Sequence, residues 1–167
     1  PDVERATGSD WGAGSRRLAL PLEWPEAVIR AAISLKLSLF EDTGAIVAAM
    51  TTSMPEAPDS GRNWDYRYCW LRDAFFVVRA LNSLSEVGTM EEYLRWLNDV
   101  VRGSRGGRVQ PLYGIGLEQT LTERSVPQLS GYRGMSPVRC GKQAFVHVQH
   151  TAYGNNFLAA ARPAVRN

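Results

Sequence analysis

The sequence predicts an all-α protein of about four helices joined by long loops. Three observations carry that prediction. Apolar residues recur at helical spacing over 71–85 and 89–102, and a proline-led apolar run fills 25–40. Between the third and fourth helical stretches, residues 103–142 are rich in Gly and Arg and have no helical period, which marks a long loop region.

In chain order, residues 1–21 are polar and Gly-rich and read as an irregular lead-in or linker ahead of a domain over 22–167. Trp24-Pro25-Glu26 starts the first helix, with proline at the first helical position and a carboxylate at the positive helix end. From Ala27 to Phe40 only Arg30, Ser34, Lys36 and Ser38 are polar, so this helix is expected to be buried on most sides. Glu41-Asp42-Thr43-Gly44 reads as a stop and turn, Ala45 to Ala49 as a brief extended segment, and Thr51 to Arg62 as a polar loop. The second helix spans Leu71 to about Ser85, with Leu71, Phe75, Val78 and Leu81 on one stripe and Gly88 closing it. Thr89-Met90-Glu91-Glu92 has the shape of a capping box and opens a third helix to Arg102. A fourth is expected from Gln143 to about Ala161, ending before Pro163.

The length of 167 residues suits one domain, and a net charge of +2 gives no reason to expect nucleic acid or a membrane as partner. No apolar run approaches the length that spans a bilayer. Cys69 and Cys140 have no metal or redox spacing and are expected as reduced thiols. His147 and His150 lie on one helix face without a third or fourth ligand in sight, so no metal site is expected. The chain starts at Pro1 and ends without an obvious final element; it is expected to be part of a longer protein, and a cytoplasmic location is expected for it.

The stretch that no amphipathic period explains is Asn63-Trp64-Asp65-Tyr66-Arg67-Tyr68-Cys69-Trp70-Leu71-Arg72-Asp73. It combines aromatic faces, on which a sugar ring's C–H groups stack, with carboxylates and guanidinium groups that take forked hydrogen bonds from hydroxyls. The stretch resembles the substrate-pocket motif of the glucoamylase-type glycoside hydrolases of family 15. Two flanking segments resemble the same family: Thr43 to Glu56, and Gly131-Tyr132-Arg133-Gly134-Met135-Ser136-Pro137-Val138-Arg139. Together they cover roughly residues 22 to 160.

The resemblance implies a partial (α/α)6 barrel and an inverting, exo-acting α-glucosidase, working without metal or organic cofactor, whose remaining catalytic domain lies outside this chain. Arg72 and Asp73 would hold the outer hydroxyls of a terminal glucose; alone, Asp73 would read as a carboxylate complementing a helix dipole. Tyr66 would lie beneath the reacting ring and Trp70 would form a wall, where the plainer reading of either ring is core packing. Trp64, Tyr68 and Cys69 read as support, and Asp65 as a brace that accepts from backbone N–H groups. Tyr132, Arg133, Ser136 and Arg139 match a second pocket loop and either contact sugar or tie that loop down.

The match weakens toward the C-terminus. The family segment reads close to GNxAxxQxQxDxYGE; here Thr151 stands at the usual Asp, Asn155 at the usual Glu and His147 at a Gln, while Gln149, Tyr153 and Gly154 match. An inverting glycosidase also needs two carboxylates about 6.5–9.5 Å apart, as general acid and general base. In the family both come from later loops, so the pair is expected beyond Asn167. Glucan hydrolysis from non-reducing ends is the first expectation, trehalose hydrolysis the second, and a truncated, non-catalytic sugar-binding remnant the third. The chain alone is expected to carry the glucose pocket without turnover.

Overall fold

The computed structural model describes residues 2–104, 108–151 and 153–154. Among these, the main elements are four helices: α1 (Asp2–Ser15), α2 (Pro25–Lys36), α3 (Leu71–Ser83) and α4 (Gly88–Gly103). Between them lie short strands: β1 (Leu39–Phe40), β2 (Ala45–Ile46), β3 (Thr52–Pro55), β4 (Asn63–Asp65) and β5 (Cys69–Trp70). After α4 come β6 (Leu112–Tyr113), β7 (Arg124–Ser125), β8 (Arg139–Cys140) and a 3-10 turn, Gln143–Val146. The strands form antiparallel pairs β1–β2, β3–β4, β5–β6 and β7–β8. Helix is thus the main regular structure among the described residues, but the chain is not all-α. Its loops are stapled by two- to four-residue ladders too short to leave a period in the sequence.

The core forms where α3 and α4 face each other over β2, β5 and β6. Leu71, Ala74 and Val78 of α3 meet Tyr93, Trp96, Leu97 and Val100 of α4, with Ile46, Cys69 and Tyr113 closing the cluster. Trp96 stacks on Tyr93 at 5.8 Å between centroids and meets Tyr113 edge-on at 6.2 Å. Burial of such rings stabilises the core by about 1.5–3 kcal/mol for each side chain removed from water. Gly44 turns the chain from β1 into β2 at φ +81°, and a Cβ there would collide with the Glu92 carbonyl of α4. Gly44→Ala is therefore expected to destabilise the chain by about 2–3 kcal/mol, read as a lower urea midpoint.

Several sequence expectations need correction. The lead-in is not irregular: 2–15 is helical, with Asp2 and Glu4 at the positive end, Arg5 donating to Asp2, and no buried residue. Its glycines point to a linker in the sequence, but they do not prevent a surface helix that begins on two acids. Helix α2 is shorter than expected, and Ala32 is its one buried residue. It packs mainly on α1 and α3, leaving Leu37 and neighbouring Leu22 and Trp24 exposed.

The capping box is also absent. Glu86 caps α4 instead: its Oε2 accepts from the Thr89 backbone N–H at 3.3 Å, and its Oε1 takes Lys36 Nζ at 3.0 Å. Thr89 Oγ1 is buried without a partner, and Gly88 opens α4 rather than closing α3. The fourth helix begins as the 3-10 turn Gln143–Val146, followed by extended residues and a helical turn from His150; its expected remainder beyond Gly154 lies outside the described residues.

Both cysteines are free thiols. Cys69 is fully buried, and burial, with Glu118 adding to it, pushes its pKa up to about 12. In the folded chain, iodoacetamide is expected to modify half-buried Cys140 first and Cys69 only on unfolding, as peptide mapping would report.

Candidate carbohydrate site

The motif residues are placed by β4, β5 and the first turn of α3. Residues 66–68 lie along 48–51 through backbone bonds: Ala48 N–H to Tyr68 O at 2.9 Å, Ala49 N–H to Tyr66 O at 3.0 Å, and Tyr66 N–H to Thr51 O at 3.2 Å. Strand β5 then enters α3 directly. The polar groups Arg72 and Asp73 therefore fall on the first turn while Leu71 and Ala74 point into the core.

Four side chains bring the distant loop 131–142 onto β3 and β4. Asn63 Nδ2 donates to the carbonyls of Met135 and Pro137 at 3.0 and 3.1 Å. Ser53, at φ 61° in the β3 bulge, accepts from the Arg139 N–H at 2.7 Å, and Thr52 Oγ1 donates to Arg139 O at 2.7 Å. Asp65, fully buried, accepts from the Gly141 N–H at 3.1 Å, from the Arg67 N–H at 3.2 Å and from the Arg67 guanidinium at 2.9 and 3.0 Å. Burial works against the Asp65 carboxylate, but the Arg67 and Gly141 hydrogen bonds win and hold its pKa below the ordinary 3.8. The bracing role expected of Asp65 is met.

The structure draws some of the expected sugar groups together. Arg72 Nη2 bonds Asp73 Oδ2 at 3.1 Å, and the guanidinium lies 5.6 Å from the Trp70 ring centroid. Burial raises the Tyr66 phenol pKa most and the Glu56 carboxylate next. Arg72 and Asp73 side chains are 43% and 40% exposed, so their donors and acceptors are open to a ligand. Trp70 is buried at 8% exposure among Leu112 and Leu121, which makes it a floor under Arg72 rather than an open wall.

The second loop divides. Arg139 ties structure down: Nη1 donates to Gly61 O at 2.9 Å, Nε pairs with Glu123 at 3.2 Å, and the guanidinium lies 4.7 Å from the Trp64 ring centroid. Tyr132 and Arg133 sit at the exposed tip of a turn closed by the Tyr132–Met135 bridge, with the guanidinium 5.4 Å from its neighbour's ring. They contact each other, and among the described residues no hydrogen bond or ion pair joins them to Arg72 or Asp73.

Sequence reasoning missed two neighbours. Glu56 accepts from the Tyr66 hydroxyl at 3.0 Å and pairs with Arg62 at 2.8 Å. Lys142 places Nζ 4.3 Å from the Trp64 centroid and 5.5 Å from that of Tyr66. Glu56 is in a flanking segment that already matched, so proximity to Tyr66 was its available signal; Lys142 gave none. Two concavities lie elsewhere: about 340 Å³ between Glu41–Gly44 and Glu92, Trp96 and Asp99, and about 410 Å³ beside Arg67, Glu118, Arg124 and Cys140. Neither is lined by Tyr66, Trp70, Arg72 or Asp73. Among the described residues no three His, Cys, Asp or Glu side chains converge as metal ligands, and no helix is long and apolar enough to cross a membrane.

The strand-to-helix junction thus carries an aromatic floor, an Arg–Asp pair on the first helical turn and, on the preceding loop, a second aromatic held by a carboxylate. The sequence model of glycosyl hydrolases family 15 matches residues 25–162, and the chain belongs to that family. The chain is similar to the "Trehalase" of Mycolicibacterium smegmatis, 39% identical over 133 residues, covering 78% of this chain and 20% of that protein. It is likewise similar to the "Trehalase" of Mycobacterium tuberculosis, 38% identical over 134 residues with 79% and 20% covered. The "Trehalase" of Thermoplasma volcanium is 40% identical over 128 residues, with 77% and 20% covered. The chain thus spans about a fifth of the length of these relatives. No solved structure matches it.

Proposed function

We propose that this chain supplies the glucose-binding surface of an enzyme that hydrolyses the α-glucosidic bond of trehalose with inversion. The observation that carries the reading is the half-exposed Arg72–Asp73 pair, set over Trp70 in a chain whose relatives are named trehalases. Those names favour trehalose over the glucan that the sequence resemblance alone puts first.

In this reading Asp73, an acceptor-only carboxylate, takes hydrogen bonds from two hydroxyls of one glucosyl unit, and Arg72 donates to a third. A misoriented hydroxyl leaves a charged group unpaired, which gives the site its selectivity among sugars. The Tyr66 ring faces the reacting carbon and stabilises positive charge as the bond lengthens, with Glu56 fixing the ring through its hydroxyl. The helices belong to part of an (α/α)6 barrel. No carboxylate between Pro1 and Asn167 is given the general acid or general base role.

The test is anomer-resolved hydrolysis by the polypeptide at its natural length. Glucose released from trehalose is expected in equal parts as α and β anomers before mutarotation, with maltose a poorer substrate. Rapid turnover of maltose and none of trehalose would return the reading to glucan hydrolysis. Turnover of neither would leave a sugar-binding remnant.

A further inference from the structure

Lys142 is the feature the proposed function does not absorb. Its backbone is fixed from both sides: Lys142 N–H donates to Leu121 O at 2.7 Å, and its carbonyl accepts from the Phe145 N–H at 3.3 Å as the 3-10 turn begins. The residue before it, Gly141, holds φ +89° with its N–H on buried Asp65, and a Cβ there would collide with the Thr122 carbonyl. The stem therefore leaves the backbone in a set direction, and the ammonium comes to rest near both the Trp64 and the Tyr66 rings, 4.3 and 5.5 Å from their centroids.

The other cations here are occupied: Arg67 by Asp65, Arg62 by Glu56, and Arg139 by Glu123 and Gly61 O. Among the described residues, the Lys142 ammonium has ring contacts but neither an ion pair nor a hydrogen-bond acceptor for its three donors. Aromatic faces attract a cation but do not satisfy N–H groups as oxygen lone pairs do. Burial draws its pKa below the ordinary lysine value, with Arg139 adding to that and Glu123, Glu56 and Asp65 opposing it. Those three carboxylates are paired one to one with the guanidinium groups of Arg139, Arg62 and Arg67, which leaves the Lys142 ammonium able to donate to the oxygen atoms of a ligand.

Resting on the sugar-site reading above, we infer that Lys142 is a specificity-determining contact that donates hydrogen bonds to hydroxyl oxygens of a sugar lying against Tyr66. It reaches the sugar from the loop side while Arg72 and Asp73 reach it from the helix side.

The experiment is a trehalose titration of the polypeptide at its natural length, with ¹⁵N-labelled lysine side chains read at low pH and temperature. The Lys142 resonance is assigned as the one lost in Lys142→Arg. That resonance is expected upfield from ring currents, and to shift saturably with trehalose. Lys142→Met, which keeps the stem on the rings, is expected to bind about tenfold more weakly, with Lys142→Arg recovering most of the loss. Binding by the parent that is lost in Asp73→Asn but unchanged in Lys142→Met, with a stationary Lys142 resonance, would overturn the inference and leave the proposed function standing. No binding by the parent would overturn both.

Discussion

Replacing Asp73 by Asn is expected to weaken trehalose binding about a hundredfold while moving the thermal midpoint by less than about 2 °C. The two halves of that expectation come from different features of one residue. Asp73 is 40% exposed, and its partner Arg72 is 43% exposed, so their mutual bond is a surface pair worth at most about 1 kcal/mol to folding. Toward a bound sugar, each hydroxyl that donates to the carboxylate makes a charge-assisted bond. Asn replaces one acceptor oxygen with an NH2 group and removes the charge from the other. Isothermal titration and a melt on the same sample separate the effects. A large fall in melting temperature with unchanged binding would make Asp73 a helix-end residue and nothing more.

Asp65→Ala is expected to do the reverse, destabilising the chain by about 3 kcal/mol, or roughly 6–12 °C in melting temperature. Its carboxylate is fully buried and accepts from two backbone N–H groups and the Arg67 guanidinium, so deletion strands several donors at once. The pH dependence follows from the direction of its shift. The pKa lies below 3.8 in the folded chain, so the stabilisation is complete well above that value and is lost as pH falls through the lower, folded-state value. Melting curves of the parent should decline below about pH 4, and those of Asp65→Ala should lack that part of the decline. Parallel acid limbs in the two proteins would show that Asp65 does not carry it.

What the sequence made legible was chemistry held in one contiguous stretch. Tyr66, Arg72 and Asp73 stand within eight residues of one another, and a helix start after Trp70 is enough to set the last two side by side. What it hid was convergence across distance. Asn63 grips carbonyls 72 and 74 residues away, and carbonyl acceptors leave no trace in residue identity. Lys142 likewise looked like one more cation in a basic loop until Gly141 was seen to aim it at two rings. Trp70 failed in the other direction: its type suggests a sugar platform, yet pairing of β5 with β6 sinks it against Leu112. The burial expected of α2 followed from its composition, but burial also needs neighbours, and here α1 and α3 cover only part of its surface.

The most direct test of the whole account is a crystal structure of the polypeptide, at its natural length, with trehalose bound. The account predicts one glucosyl ring against Tyr66, with hydroxyl oxygens about 2.6–3.1 Å from Asp73 and Arg72. Trehalose seated in the cleft beside Glu92 and Asp99, or held without contact to Asp73, would contradict it.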